Sequence, residues 1–256
     1  MSLPPAMVRR ALDFTGPPAP ARPAATVVLL RPSGSAFQVY VLKRATTMAF
    51  GGVYAFPGGA VDPTDRPETL RDDWSGRLGV PEEQARAIVG AAARELFEEA
   101  GVILAGPPAE PDRTVADAGD PTWESDRAAV LRRDLTMTDL LSRRGLLLRD
   151  DLLLPWARWI TPEFEPRRYD TWFFAALLPE AQAARDVSGE ADTTAWIDPA
   201  SATDLPMLPP TRHTLSQLAA CGDIPSIVAA SAHRDAATPV TPRITVDPDG
   251  SATFTI

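Results

Sequence analysis

The chain has 256 residues, 45% of them hydrophobic and 23% charged, and 25 Lys and Arg against 34 Asp and Glu give a formal net charge of −9. That length can bury a sizeable core, while an acidic surface repels nucleic acid and anionic membranes, so neither is expected as a partner. One cysteine, Cys221, and two histidines, His213 and His233, exclude an intramolecular disulfide and argue against a structural zinc site. The apolar run 27–30 is too short to span a bilayer and no secretory h-region precedes it, so a cytoplasmic location is expected.

Residues 1–23 are Pro-rich and weakly patterned and read as an N-terminal arm. Two β-branched-rich runs, 25–30 and 37–43, flank Pro32, Ser33, Gly34 and Ser35, a strand–turn–strand signal. A Gly-rich stretch follows, with Gly51 and Gly52 and then Phe56, Pro57, Gly58 and Gly59. Residues 60–80 are polar and broken by Pro63, Pro67, Gly76 and Gly79, as in an insertion loop with a short helix near 70–78. A long helix is then expected. Pro81 stands in its first turn beside Glu82 and Glu83, where the helix dipole favours acids. Ala87, Ile88, Ala91, Leu96 and Ala100 form its small apolar packing face, and Gly101 caps its end.

Residues 106–122 form a loop, followed by helices over 123–133 and 136–144, with Asp134 or Thr136 as the cap of the second. Strands are expected over 152–160, 169–178 and 193–197, helices over 211–220 and 226–232, and a C-terminal hairpin around Asp247, Pro248, Asp249 and Gly250. This order predicts an α+β fold with a mixed sheet rather than a regular βαβ array. The expected organisation is an arm over 1–23, one domain over 24–235 with insertions at 60–80 and 106–150, and a hairpin over 236–256 packed on the domain.

Chemistry concentrates on the long helix. Glu95, Glu98 and Glu99 lie at i, i+3 and i+4 and therefore share one face. Three like charges repel there, and a hard divalent cation such as Mg²⁺ or Mn²⁺ removes that penalty. Arg94 precedes them and could anchor an acid. Taken alone, three acids read rather as a solvated helix face, since short charge clusters are common.

Residues 94–102, RELFEEAGV, with FPGG at 56–59 upstream, resemble the second half of the Nudix box. Arg94, Glu95, Leu96, Glu98, Glu99, Gly101 and Val102 meet each of its fixed positions. The first half departs from the pattern. The spacing from Gly59 reaches Asp65 where glutamate is usual, and residues 66–93 then intervene in place of a short spacer. The acid that normally pairs with the arginine is thus Asp65 or is missing. The insertion resembles the subgroup of the mammalian peroxisomal coenzyme A diphosphatase. Residues 42–59, 159–174 (WITPEFEPRRYDTWFF) and 208–218 (LPPTRHTLSQL) are also similar to that subgroup. In the coenzyme A motif before Phe-Pro-Gly-Gly, Gly52 matches, but Met48 and Arg44 stand where arginine and serine are usual.

The resemblance implies a Nudix-type α/β/α sandwich with helical insertions. It also implies an Mg²⁺- or Mn²⁺-dependent pyrophosphohydrolase that cleaves a nucleoside diphosphate linked to another moiety. Coenzyme A and acyl-coenzyme A are the leading substrates, with ADP-ribose, NADH, nucleotide sugars or a non-catalytic nucleotide-binding role as alternatives. The implied metal ligands are Glu95, Glu99 and Glu98 with the Gly59 carbonyl. Glu98, Arg94 and Glu190 carry catalytic roles, Glu98 or Glu190 as the base. Arg44, Arg167 and Arg168 are the candidate cations for substrate phosphate, since guanidinium groups match phosphate oxygens. Trp172 and Phe173 alternate along a strand, so one could face a ligand. His213 and Cys221 read as structural. Runs of small apolar residues are compatible with a homodimer.

Overall fold

The structure, a computed structural model, describes residues 5–46, 51–70, 73–187, 189, 191–246 and 252–255. Helix α1, Pro5–Asp13, forms within the segment expected to be an irregular arm. Strand β1, Ala21–Ser33, turns back into β2, Ala36–Arg44, with Ser33 opposite Ala36. Both are longer than the apolar runs that announced them, because pairing continues into residues of weak β preference. The short strands β3, Tyr54–Ala55, and β4, Gly58–Ala60, follow.

Helix α2, Trp74–Leu78, starts at Asp73, whose carboxylate accepts from the Gly76 amide. The long helix α3, Glu82–Ala100, begins directly after Pro81, one position later than expected, and ends at Gly101 in the left-handed conformation. Strand β5, Ala105–Gly106, precedes α4, Pro121–Leu131, capped by Asp120, and α5, Met137–Arg143, capped by Thr136. Then come β6, Leu147–Leu148, β7, Leu154–Ile160, β8, Arg168–Leu177, and β9, Ala191–Ile197. Helices α6, Pro209–Cys221, and α7, Ile224–Ser231, and strands β10, Pro239–Val240, β11, Arg243–Val246, and β12, Ala252–Thr255, complete the described chain. Strands β11 and β12 pair antiparallel. The turn residues expected between them, Asp247, Pro248, Asp249 and Gly250, lie outside the described residues.

The described residues form an eight-stranded mixed sheet. Its order is β10–β7–β8–β1–β2–β3, with β4 paired to β1 and β9 to β2. The β1–β8 pair is parallel and the β1–β2 and β7–β8 pairs are antiparallel. Successive side chains of a strand point to opposite faces. Ala25, Val27 and Leu29 of β1, with Trp172, Phe174 and Ala176 of β8, therefore meet α3 in one core. Val28, Leu30, Phe173 and Ala175 meet α6 and α7 in the other. The fold is thus an α+β sandwich, a mixed sheet between helical layers with helical insertions.

Both insertions do more than loop. The first places Trp74 and Leu78 in the α3-side core, where Trp74 meets Phe174 edge-on at 5.9 Å and donates to Asp150 at 2.8 Å. In the second, Trp123 of α4 packs edge-on against Phe97 at 5.9 Å. Strands β5 and β6, unforeseen because two residues carry no periodicity, close this insertion at its base. Consequently α3 is buried on all sides from Ile88 to Ala100, not on one apolar face. Among the described residues no helix is long and apolar enough to cross a membrane.

Leu29, fully buried between sheet and α3, is expected to cost about 2–5 kcal/mol when truncated to alanine, through lost transfer energy and a residual cavity. Val228→Ala, at an exposed site of α7, is expected to stay within about 0.5 kcal/mol. Urea unfolding midpoints compare the two, and equal losses would contradict the assigned core.

Candidate functional site

The site lies where β4 meets the last turns of α3. Strand β4 pairs with the first half of β1, with Gly59 opposite Ala25. This sets its backbone against the glutamates of α3. The Gly58 amide donates to Glu99 Oε2 at 2.9 Å. A Cβ placed at Gly59 would stand 2.4 Å from Glu95 Oε1, so only glycine lets this strand approach the carboxylate. Glu95, Glu98 and Glu99 are all buried. Burial pushes the Glu95 carboxyl up to about 7, against the opposing pull of the adjacent Arg94 charge.

Arg94 is the hub beneath them, with its side chain 2% exposed. Its guanidinium grips Asp65 bidentately at 2.7 and 3.0 Å and donates to Glu95 at 2.7 Å, Glu98 at 3.2 Å and the Ala60 carbonyl at 3.0 Å. Burial lowers its proton affinity, but the Asp65 hydrogen bonds and the charges of Glu95, Asp65 and Glu98 outweigh that and hold it above its ordinary value. Asp65 is therefore the acid that pairs with the arginine. It reaches Arg94 because the loop carrying it crosses α3 at Gly90, where a Cβ would sit 2.9 Å from Pro67 Cδ and 3.1 Å from the Asp65 carbonyl carbon. Sealed in this way, Arg94 has no access to a substrate. It anchors the acid Asp65 and bonds Glu95 and Glu98.

Three further residues belong to the site and escaped the sequence reading. Arg133, just beyond α4, donates to Glu98 Oε1 and lies 3.5 Å from Asp62. Arg127 of α4 donates to the main-chain carbonyl of Glu98 at 3.1 Å. Asp62 accepts from the amide and hydroxyl of Thr64, which lower its pKa. No periodicity marks these residues. The one available signal was an unusual density of arginine in the second insertion.

A cavity of about 270 Å³ opens beside β4. Phe56, Gly58, Gly59, Trp159, Tyr169 and Phe173 are among its lining residues. Phe173 thus faces the cavity while Trp172 lies in the opposite core. Arg44, at a register shift where β2 leaves β9, also lines it. Arg168 does not. Its guanidinium donates to the carbonyls of Thr161 and Ala19 at 3.0 and 2.7 Å and braces the β7–β8 connection, so the expected phosphate contact does not fit its placement. Arg167 is exposed and is not among the lining residues. Glu190 lies outside the described residues. His213 packs edge-on against Trp159 at 5.4 Å, and the Cys221 thiol donates to the Gln217 carbonyl.

No family model matches the chain. The curated Caenorhabditis elegans protein named "Putative nudix hydrolase 7" is 32% identical over 184 residues, 72% of this chain and 53% of that protein, so the chain spans about half the length of this relative. The crystal structure of a NUDIX hydrolase from Alicyclobacillus acidocaldarius superposes with a TM-score of 0.68 at 27% identity, over 86% of this chain and 99% of that one. These likenesses support membership in the Nudix hydrolase superfamily. A more distant likeness is to the NUDIX domain of Shewanella oneidensis NrtR in complex with ADP ribose, with a TM-score of 0.44 at 13% identity over 79% of this chain and 88% of that one, too slight to argue from.

Nudix hydrolases typically use a divalent cation, and the chemistry of the donors on α3 and β4 suits one. All are hard oxygens, the Glu95, Glu98 and Glu99 carboxylates and the Gly59 carbonyl, suited to Mg²⁺ or Mn²⁺. The Cβ-free approach of Gly59 to Glu95 keeps a side chain out of the space between them. Among the described residues no three such side chains stand gathered as a finished metal cluster. Two of the carboxylates are instead held by arginines.

Asp65→Asn is expected to lower the unfolding free energy by about 3 kcal/mol, because it leaves the Arg94 charge buried without its bidentate partner. Urea denaturation in metal-free buffer measures this. A loss below about 1 kcal/mol would show that Glu95 and Glu98 suffice to hold the guanidinium.

Proposed function

We propose that this chain is a divalent-cation-dependent pyrophosphohydrolase that cleaves a nucleoside diphosphate linked to another moiety, with coenzyme A and its acyl esters as the leading substrates. One observation carries the reading. Two of the three glutamates of the second half of the box, Glu95 and Glu99, lie on α3 against the Gly58–Gly59 edge, and the 270 Å³ cavity opens beside that same edge. A reacting diphosphate at the edge leaves room in the cavity for the group attached to it.

In the proposed reaction, the oxygen of water bonds to phosphorus and the anhydride P–O bond breaks. The electron pair departs with the leaving phosphate, and the proton of water passes to a carboxylate. Glu95 and Glu99, with the Gly59 carbonyl, are the assigned metal ligands, and Glu98 serves as ligand or base. Glu190 is the second candidate for the base. A divalent cation held there would neutralise phosphate charge and make water easier to deprotonate. Arg94 keeps the carboxylates in place, and Arg44 is the assigned cation for substrate phosphate. Phe56, Tyr169 and Phe173 offer apolar and aromatic surface to the remainder of the substrate.

Coenzyme A comes first because the insertion splitting the box and the segments around 159–174 and 208–218 resemble the coenzyme A diphosphatase subgroup. Met48 and Arg44 depart from its motif, so the choice rests on the insertion and not on that motif.

Incubation with Mg²⁺ or Mn²⁺ and a panel of coenzyme A, acyl-coenzyme A, ADP-ribose, NADH and nucleotide sugars tests the reading by product identification. Coenzyme A is expected to yield 4′-phosphopantetheine and 3′,5′-ADP. Glu99→Gln is expected to lower turnover by about a hundredfold or more. Cleavage confined to another panel member would overturn the coenzyme A choice. Nucleotide binding without turnover would favour a non-catalytic module.

A further inference from the structure

Glu98 is held by two arginines of opposite character. Arg94 reaches it from within α3 and cannot leave, because its side chain is 2% exposed and Asp65, Glu95 and the Ala60 carbonyl hold it as well. Arg133 reaches it from the second insertion with a side chain 41% exposed. Its guanidinium lies at the solvent edge of the site and bridges Glu98 to Asp62, a pair far apart in sequence. Such a side chain can swing into water at little desolvation cost, whereas Arg94 would have to abandon a sealed network.

The turn that ends α4 places this side chain, with the Asp134 amide bonded back to the Ala129 carbonyl at 2.9 Å. Arg133 has φ +64°, a left-handed conformation that a non-glycine residue adopts at a cost of about 1 kcal/mol. The conformation follows the end of α4, and the same guanidinium also bonds the Val130 carbonyl. The helix is in turn fixed to α3 by Arg127 on the Glu98 carbonyl and by Trp123 on Phe97. The insertion therefore delivers a mobile positive charge to the carboxylate at which the reading above assigns a metal.

We propose that Arg133 is a resident cation that occupies Glu98 in the metal-free protein and must be displaced for a divalent cation to bind there. This rests on the metal-dependent reading of the site. The insertion thereby sets the metal affinity. Arg133 does not touch the reacting atoms and acts through Glu98.

Calorimetric titration of the full chain with Mn²⁺ alone, without substrate, tests this. Arg133→Asn removes the charge while tolerating the left-handed backbone. Arg133→Lys keeps a positive charge. Arg132→Ala removes a neighbouring arginine whose side chain is 62% exposed and paired to Asp134. The Asn variant is expected to bind Mn²⁺ roughly tenfold more tightly than the wild type, the gain from removing one charged hydrogen bond. The Lys and Arg132→Ala variants are expected to stay within about threefold of the wild type. Unchanged or weaker binding by the Asn variant, or equal tightening by the Lys variant, would overturn the proposal while leaving the metal-dependent reading standing. No Mn²⁺ binding by any of these proteins would overturn both. Binding by the Asn variant alone would support displacement in its strongest form. If the Asn variant does not fold, tightening by Lys equal to tenfold or more would still refute the role of the charge, and wild-type affinity in Lys would support it.

Discussion

The site depends on one buried guanidinium. Moving Arg94 from water into the interior costs several kcal/mol, and only a near-complete set of partners offsets it. Asp65 supplies the bidentate pair, Glu95 and Glu98 accept one bond each, and the Ala60 carbonyl takes the last. These partners come from β4, the first insertion and α3, so one side chain ties three parts of the chain together. The same network leaves an imbalance. Asp65, Glu95 and Glu98 gather around Arg94, and Glu98 and Asp62 around Arg133, four acids facing two guanidiniums.

The insertions follow from that constraint. An acid placed within a short box would reach the arginine directly. Here the chain leaves after Asp65 and returns only at α3, so Asp65 must be pressed back onto the helix, which Gly90 permits. Trp74 and Leu78, carried by the intervening segment, enter the core and anchor it. The second insertion covers the opposite flank through Trp123 and Arg127. Between them α3 loses its solvent face. A helix with only a weak amphipathic signal is stable here because its surroundings, not its own pattern, supply the burial.

The parts of this arrangement that were readable in the sequence are those governed by local rules. The three glutamates share a face by helical spacing, Gly101 ends the helix through its left-handed cap, and Thr136 caps α5 with its side chain. The strands declared themselves by alternation, though short of their true ends. The parts that could not be read are those governed by tertiary approach. Whether Asp65 or nothing met Arg94 depended on a loop crossing at Gly90. Arg168 and Arg44 looked equivalent as strand-end cations, yet one braces carbonyls at Thr161 and Ala19 while the other lines the cavity. Arg133 owes its role to a turn between two helices, for which neither charge nor periodicity gives a signal.

The cavity and the carboxylate edge divide the work of recognition. Among the charged residues lining the cavity are Arg44 and Glu165, and Glu165 is already paired with Arg10 of α1 at 2.7 Å. The rest of the lining is largely aromatic, aliphatic, proline or glycine. Such a surface can solvate an apolar or ring-shaped group but not several phosphate charges. The chain as a whole carries a net charge of −9, so no broad positive field assists an anionic ligand. The proposed reaction therefore assigns charge neutralisation for a diphosphate locally, to Arg44 and to a cation held by α3. The buried acids that make the metal-free site electrostatically costly are, on this view, what confines the charged part of a substrate to the Gly58–Gly59 edge and leaves the cavity to the uncharged part.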